Sequence, residues 1–396
     1  MKNSQNEPTL KVGLIGCGGR GRGALDNVLD AAPNVQVTAL ADMFPDRIAL
    51  ARKNLTAKPG FKVTDENCFT GFDAYKRLLD SGVDYVAMCQ PPGFRPLHFE
   101  AAVEAGKHCF LEKPVAVDPV GCRRVIAAGE KAKEKKLGVI PGTQSRHSRR
   151  FIETVKRIHD GQIGEVLEGY IFFNTGYLWE YERKPEQSDM EWQIRNWYYF
   201  DWLSGDHIVE QHVHQIDATD WVMKSHPIQA VAVGGRQMRV EPLYGNIYDH
   251  FAVDFEYPGG AHVFSMCRQW KGQGVGGFIA AWYVGSKGTA YLHHPSKEKA
   301  GSITGQNPWK YEGDETPSTV QEHRDLIESI RAGKPINEAR RIAETTLTSI
   351  LGREAAYTGK VVKWDELMKS DLDLSPAKYE FGPNPVRPVR VPGKNA

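Results

Sequence analysis

Gly16, Gly18 and Gly21 stand in the pattern Gly-x-Gly-x-x-Gly, directly after the apolar run LKVGLIG and directly before a helical run. In that setting the first glycine permits a tight turn, the second lets backbone approach a diphosphate, and the third allows helix and strand to pack closely. The helix that follows supplies oriented N–H groups. A second apolar run, VQVTALAD, ends in Asp42, where a carboxylate can accept hydrogen bonds from both hydroxyls of an adenosine ribose. That charge would repel a 2'-phosphate and so favours NAD over NADP, while Arg22 and Arg47 could soften the preference.

A second constellation is SGDHIVEQHVHQIDATDW. The pattern predicts one helix over about 206–223, with Val209, Val213 and Ile216 on one face and His207, Glu210, His214 and Asp217 on the other. If that polar face looks into a ligand cleft, His214 is the natural general base for a substrate hydroxyl, with Glu210 orienting it or tuning its pKa. Two other readings stay open: a divalent-metal site, for which no third ligand group is assignable, and a plain solvated helix face.

The elements that must position these groups change character along the chain. Strand-like runs alternate with helical patterns from Leu10 to about Gln144: VQVTALAD, VDYVAMCQPP, KHCFLEKP and LGVIPGTQ are separated by helices, including an amphipathic stretch over 120–136. Such alternation predicts a doubly wound parallel sheet, a Rossmann-type domain over 1–145. After Gly164, runs such as EVLEGYIFFNTGY, IQAVAVGGRQMRV and HFAVDFEYPGGAHVFSMCRQW read as strands of a large, mainly antiparallel open sheet in an α+β substrate and oligomerisation domain over 146–319. The stretch 174–203, dense in aromatics from Trp192 to Trp202, reads as a loop at a site mouth. Residues 320–396 read as helices returning toward the first domain, broken at RAGKP, followed by a proline-punctuated arm that either wraps a neighbouring subunit or is an ordered tail.

Composition narrows the function classes. Apolar residues make up 41% and charged residues 25%, the proportions of an ordinary globular chain. A formal net charge of +1 offers no footprint for nucleic acid or an anionic membrane surface. No apolar run is long enough for a membrane helix, and MKNSQNEPTL has no apolar signal core. Cys17, Cys68, Cys89, Cys109, Cys122 and Cys267 form no CxxC pair and read as reduced thiols. The expected compartment is the cytoplasm, or the periplasm if an export signal has been removed.

The segment AGKHCFLEKPVAVD resembles the signature of the Gfo/Idh/MocA oxidoreductases. CQPPGFRPLHFEAAVEAG upstream and RIHDGQIGEV downstream are similar to the same family, so the resemblance covers nearly the whole chain. It implies that Lys113 lies beside the nicotinamide and the substrate hydroxyl. A lysine pressed against bound cofactor at the carboxyl end of a parallel strand can have a lowered pKa and can hydrogen-bond that hydroxyl. A cis Lys113–Pro114 bond is plausible at such a turn. The cofactor set implied is Gly16, Gly18, Gly19, Arg20, Gly21, Asp42, Arg47, Gln90, Pro91, His98, Glu112 and Lys113, holding NAD.

The family also places an acid, a histidine and often a second acid on one helix, which falls here on Glu210, His214 and Asp217. The chain departs from the usual aspartate by carrying Glu210, and it adds His207 and His212. Lys113, His214 and Glu210 are the expected catalytic residues, with no metal. Arg146 and His147 fall where the family has a Gln-x-Arg segment. Together with Arg195, Trp197, Tyr198 and His207 they are expected at the substrate, a carbohydrate, although the aromatics could equally fill a core or an interface. The implied reaction is hydride transfer between nicotinamide and a ring carbon of a sugar, glycoside or cyclitol. Two alternatives accompany it: redox-neutral glycoside cleavage with bound NAD, and a non-catalytic nucleotide-binding regulator. A homodimer or homotetramer through the second-domain sheet is expected.

Overall fold

The computed structural model describes residues 7–394 and divides into two compact units. The first comprises the described residues up to Ala116, Gly121–Gln144 and Thr316–Ala343; the second comprises Val117–Val120, Ser145–Glu315 and the described residues from Glu344. The return of the chain to the first unit thus ends at Ala343, and the arm lies with the second unit.

In the first unit β1 (Leu10–Ile15), β2 (Val35–Asp42), β3 (Cys68–Thr70), β4 (Tyr85–Met88), β5 (His108–Leu111) and β6 (Val139–Pro141) form a six-stranded sheet in the order β3-β2-β1-β4-β5-β6. Every pairing is parallel. Parallel strands need crossovers, and helices cover both faces of the sheet. One apolar layer joins Val86, Met88 and Leu111 to Leu78, Phe99, Val125 and Ile342. The opposite layer joins Val12, Leu14 and Tyr85 to Leu25, Val28, Ile48 and Leu326. This is the doubly wound Rossmann sheet that the alternation of runs predicts. Its strand order reverses between β1 and β4, where such sheets bind ligands beyond their carboxyl ends.

The second unit is built on β7 (Val166–Thr175), β8 (Gln229–Gly235), β9 (His250–Glu256), β10 (His262–Gln269), β11 (Phe278–Gly285), β12 (Gly288–His293), β13 (Ser302–Gly305), β14 (Trp309–Lys310) and β15 (Val362–Lys363). They form a nine-stranded sheet in the order β14-β13-β12-β11-β7-β10-β9-β8-β15, parallel only where β7 meets β10. Alternation along β10 shows the two faces: Val263, Ser265, Cys267 and Gln269 are buried, whereas Phe264 and Met266 are exposed. Helices Arg149–His159 and Val213–Met223 pack on the buried side. The other side carries a row of stacked rings, with Tyr170 5.4 Å from Trp282 and 6.0 Å from Phe264, and Phe172 5.3 Å from Trp282.

The structure corrects two expectations. The stretch 174–203 is not simply a loop: it contains helices Asp189–Arg195 and Asp201–Ser204 with a 3-10 turn, Trp197–Tyr199, between them. Trp192, Tyr198, Tyr199, Phe200 and Trp202 are buried there, so these aromatics fill the second unit's own core. The expected single helix over 206–223 is two, His207–Glu210 and Val213–Met223, with a break at Gln211 and His212. All six cysteines are free, as expected, and Cys17, Cys109, Cys122 and Cys267 are buried. Among the described residues no helix is long and apolar enough to cross a membrane.

Candidate active site

β1 ends at Ile15, and the chain must turn at once to enter the helix Gly19–Ala31. Gly16 makes that turn at φ +93°, and a Cβ there would lie 2.5 Å from the Gln90 amide nitrogen at the end of β4. Gly21 lies against the Gly16 carbonyl, where a Cβ would be 1.9 Å from the oxygen. At Gly18 and Gly19 a Cβ would meet nothing within 4 Å, and no side chain caps the helix. Close packing is therefore confined to the first and third glycines, and the second leaves the helix N-terminus open to an anion.

Asp42 closes β2. Its Oδ2 accepts from the Cys17 amide at 2.6 Å and its Oδ1 from the Phe44 amide at 2.9 Å, which fixes the carboxylate beside the glycine turn. Burial raises the Asp42 pKa; the two amides and the nearby Arg47 pull in the other direction.

Gln90 is 6% exposed, and neither its Nε2 nor its Oε1 has a hydrogen-bond partner. An orphaned buried amide is costly, so its placement at the β1/β4 switch point fits a ligand that supplies the missing partners. Pro91 follows it into the turn Pro92–Phe94. Arg95, a residue the sequence reading missed, is buried and donates to the carbonyls of Gln90 and Pro114, tying the two strand-end loops together. A buried arginine at the first turn of a helix gives no distinguishing pattern in sequence.

Glu112 and Lys113 follow β5, and the Lys113–Pro114 bond is cis. Glu112 is buried and accepts from the Arg20 guanidinium and from the Lys113 amide at 3.1 Å. Arg20 also reaches Glu322 at 3.2 Å. Burial and then the Glu112 charge push the Glu322 carboxyl well up. The structure thus brings together Gly16, Gly21, Gln90, Arg20, Glu112 and Lys113, with Asp42 attached through Cys17. His98 is placed differently: its ring is stacked on Tyr75 at 4.1 Å and lies 5.9 Å from Phe94, and burial, then Arg95, lowers its pKa to about 3.

In the second unit the residue that organises the His207–Glu210 turn is Asp206, also missed in sequence. It adopts φ +76° and ψ +161°, a conformation costly for a residue with a side chain. Its Oδ1 accepts from the His207 ring at 3.0 Å, and its Oδ2 from the Tyr248 amide at 2.7 Å and the Tyr357 hydroxyl at 2.6 Å. An aspartate immediately before a helical run is the capping signal that could have marked it. His212 bonds Ser265 Oγ at 2.7 Å, and burial, then His207, lowers its pKa to about 3.

The helix that was to carry the four polar residues breaks at Gln211 and His212. His207, Glu210 and Asp217 are buried, which also removes the solvated-face reading, and only His214 is half-buried. Asp217 takes Arg146 at 2.8 Å and Thr345 at 3.3 Å, so Arg146 is held by an acid and lies over Trp221. His147 is buried, and Arg195 pairs with Glu191 at 3.1 Å. Glu210 accepts from Gln211 at 2.8 Å and lies near Tyr198, whose hydroxyl is pushed well up by burial and then by the Glu210 charge. Tyr198 Oη in turn accepts from Gln269 at 2.8 Å, and Trp197 lies 5.6 Å from the Tyr198 ring. Among the described residues no group of three or more His, Cys, Asp or Glu could hold a metal ion.

Comparison with known proteins agrees with this architecture. Residues 10–140 match the "Oxidoreductase family, NAD-binding Rossmann fold" of the GFO/IDH/MocA proteins, and residues 151–291 match the GFO/IDH/MocA C-terminal domain. The chain is 28% identical over 218 residues to an inositol 2-dehydrogenase/D-chiro-inositol 3-dehydrogenase of Lactiplantibacillus plantarum, a match covering 54% of this chain and 52% of that protein. A glycosyl hydrolase family 109 protein of Streptomyces coelicolor is 28% identical over 172 residues, 43% of this chain and 34% of that protein. These two matches therefore span about half or less of the relatives' lengths. With inositol 2-dehydrogenase 3 of Saccharopolyspora erythraea the chain is 25% identical over 89% of its own length and 95% of the other's. In fold it is similar to aldose-aldose oxidoreductase from Caulobacter crescentus, with TM-score 0.69 and 19% identity over 90% of this chain and 99% of that one. With both regions matched, the chain belongs to the GFO/IDH/MocA family of NAD-binding oxidoreductases.

Proposed function

We propose that the chain is an NAD-dependent oxidoreductase that moves a hydride between nicotinamide and a ring carbon of a sugar, glycoside or cyclitol. The observation that carries the reading is the glycine turn: tight at Gly16 and Gly21, open at Gly18, and flanked by an acid and an unsatisfied buried amide. Bound there, the dinucleotide supplies the hydride acceptor. Amides of the turn hold its diphosphate, Asp42 accepts from the adenosine ribose, and Gln90 gains the partners it lacks. The carboxylate at Asp42 favours NAD over NADP. On the substrate, Lys113 hydrogen-bonds the reacting hydroxyl, His214 takes its proton, and Glu210 orients the histidine.

The test incubates the protein and NAD with glucosides, galactosides and inositols, and follows ketone products by mass spectrometry. Lys113→Ala and His214→Ala are expected to abolish turnover of the accepted sugar while leaving NAD affinity near wild type. Unchanged turnover in either variant removes that residue's assignment.

The match to a glycosyl hydrolase family 109 protein, at the same identity as the inositol dehydrogenase match, favours a second reading: oxidation, elimination and re-reduction with bound NAD, cleaving a glycoside without net redox change. Cleavage products without accumulated NADH identify it.

The aromatic row on the open face of the second-unit sheet supports a homodimer or homotetramer formed through that face. A monomer in light scattering contradicts it. Six free thiols are in keeping with a reducing, cytoplasmic setting.

A further inference from the structure

Trp179 and Tyr181 are each 40% exposed, on a stretch between β7 and the helix Asp189–Arg195 that has no regular secondary structure. Such a stretch would normally be loose, yet this one is fastened from beneath by buried side chains. The Tyr199 hydroxyl donates to the Trp179 carbonyl at 3.1 Å, the Trp192 indole donates to the Tyr181 carbonyl at 3.1 Å, and the Tyr181 amide donates to Asn196 Oδ1 at 3.0 Å. Tyr199 and Asn196 are wholly buried, and Asn196 is itself anchored to the Leu243 carbonyl at 2.8 Å. The backbone is thus fixed so that two large rings face outward, an arrangement whose apolar exposure brings no gain to the folded chain alone.

The rings adjoin buried Tyr198, which neighbours Glu210 of the candidate catalytic turn. Trp179 lies 5.4 Å from Tyr181, 5.7 Å from Trp197 and 6.4 Å from Tyr198, and the Tyr198 hydroxyl lies in the field of Glu210. Exposed Glu180 and Glu182 alternate with the two rings along the stretch, and the neighbouring Arg183 is paired with Asp189 at 2.8 Å. Flat aromatic faces match the C–H face of a pyranose, while carboxylates on the same stretch can accept from its hydroxyls.

We propose that Trp179 and Tyr181 form a shelf for a second sugar ring, so that the preferred substrate is a two-ring glycoside rather than a free monosaccharide or cyclitol. The proposal rests on the carbohydrate-oxidoreductase reading and narrows its substrate class. The ring that reacts lies toward Glu210 and His214, and the ring it is linked to stacks on Trp179.

The test has two readouts. Calorimetric titration of the NAD-loaded protein compares methyl glucoside and methyl galactoside with cellobiose and lactose, and kcat/KM is measured for the same sugars. The wild type is expected to favour the two-ring member of a pair by about tenfold in both, the size of one good stacking contact. Trp179→Ala should bring the ratio close to unity, chiefly through KM, and Trp179→Phe, which keeps a flat ring, should retain most of it. Equal loss for one-ring and two-ring ligands, an unchanged ratio in Trp179→Ala, or no two-ring preference in the wild type overturns the shelf. So does a lower oligomer mass for Trp179→Ala in light scattering, which would assign the rings to a protein contact. Two-ring preference in calorimetry without turnover of any sugar supports the shelf and removes the redox reading; turnover without the preference does the reverse.

Discussion

Gly21 sits so close to Gly16 that a Cβ at Gly21 would lie 1.9 Å from the Gly16 carbonyl oxygen. The contact is between backbone and backbone, so no side chain can yield to relieve it. Gly21→Ala must push the first helix off β1, at a cost of about 1–3 kcal/mol as for other overpacked sites, and NAD binding should fall with it. Gly18→Ala meets nothing within 4 Å and should leave the thermal midpoint near wild type while weakening NAD, because its methyl occupies the approach of the diphosphate. Calorimetry with NAD and thermal unfolding without it separate the two. Equal destabilisation by both variants would contradict the division of labour among the glycines.

Gln90 gives a prediction with opposite signs in two measurements. Its amide is buried with no partner from the chain itself, so Gln90→Leu relieves an unsatisfied group and should raise the stability of the protein without NAD by about 1 kcal/mol. The same change removes hydrogen bonds that the cofactor would otherwise make, and NAD affinity should drop about tenfold. Denaturant unfolding and NAD titration check each half. A variant that is less stable and binds NAD as before would show that the amide is satisfied within the protein.

What was legible in the sequence was what is local. The glycine turn, Asp42 and the EKP loop each lie within a few residues of a strand end, and the alternation of runs fixes which end that is. The rest depends on contacts remote in sequence. Nothing in SGDHIVEQHVHQID announces that Asp206 is held by Tyr248 and Tyr357, the bonds that anchor the short His207–Glu210 turn ahead of the break at Gln211 and His212. The pattern therefore reads as one continuous helix. Likewise Trp192 to Trp202 looked like a polar-tipped mouth because Arg195 and Asn196 interrupt the apolar run. Asn196 instead spends its amide on the Tyr181 and Leu243 backbones.

The proline-punctuated arm was legible but its anchoring was not, since its anchors are mostly backbone groups. The Met190 amide donates to the Gly382 carbonyl at 3.2 Å, Asn384 bonds Asp189 at 3.1 Å and Gln193 at 3.0 Å, and the Tyr248 hydroxyl reaches the Arg390 carbonyl at 2.8 Å. Deleting the chain from Phe381 onward removes these bonds, each worth about 1 kcal/mol, from the helix Asp189–Arg195 and its surroundings. Hydrogen exchange should quicken at 189–195 and stay slow in β7 and β10. Unaltered exchange in that helix would mean that the arm supports nothing.

Asp220 makes stability depend on pH near neutrality. Burial pushes its carboxyl up to about 7, partly offset by the Tyr257 hydroxyl at 2.8 Å and Thr348 Oγ1 at 3.1 Å, and raised further by Asp217. The unfolded carboxyl releases its proton near the ordinary value of about 3.9. Between those two values the folded chain therefore holds more protons than the unfolded one, and its stability falls as pH rises, by at most about 1.4 kcal/mol per pH unit. Above pH 7 both states are ionised and the loss is complete. Asn at this position has no proton to release, so the unfolding free energy of wild type minus that of Asp220→Asn should decline from pH 5 to pH 8, measured by urea at each pH. A difference that stays level, or that grows with pH, would mean that the Asp220 carboxylate is ionised in the folded chain throughout, with its charge compensated by the hydroxyls and Arg146.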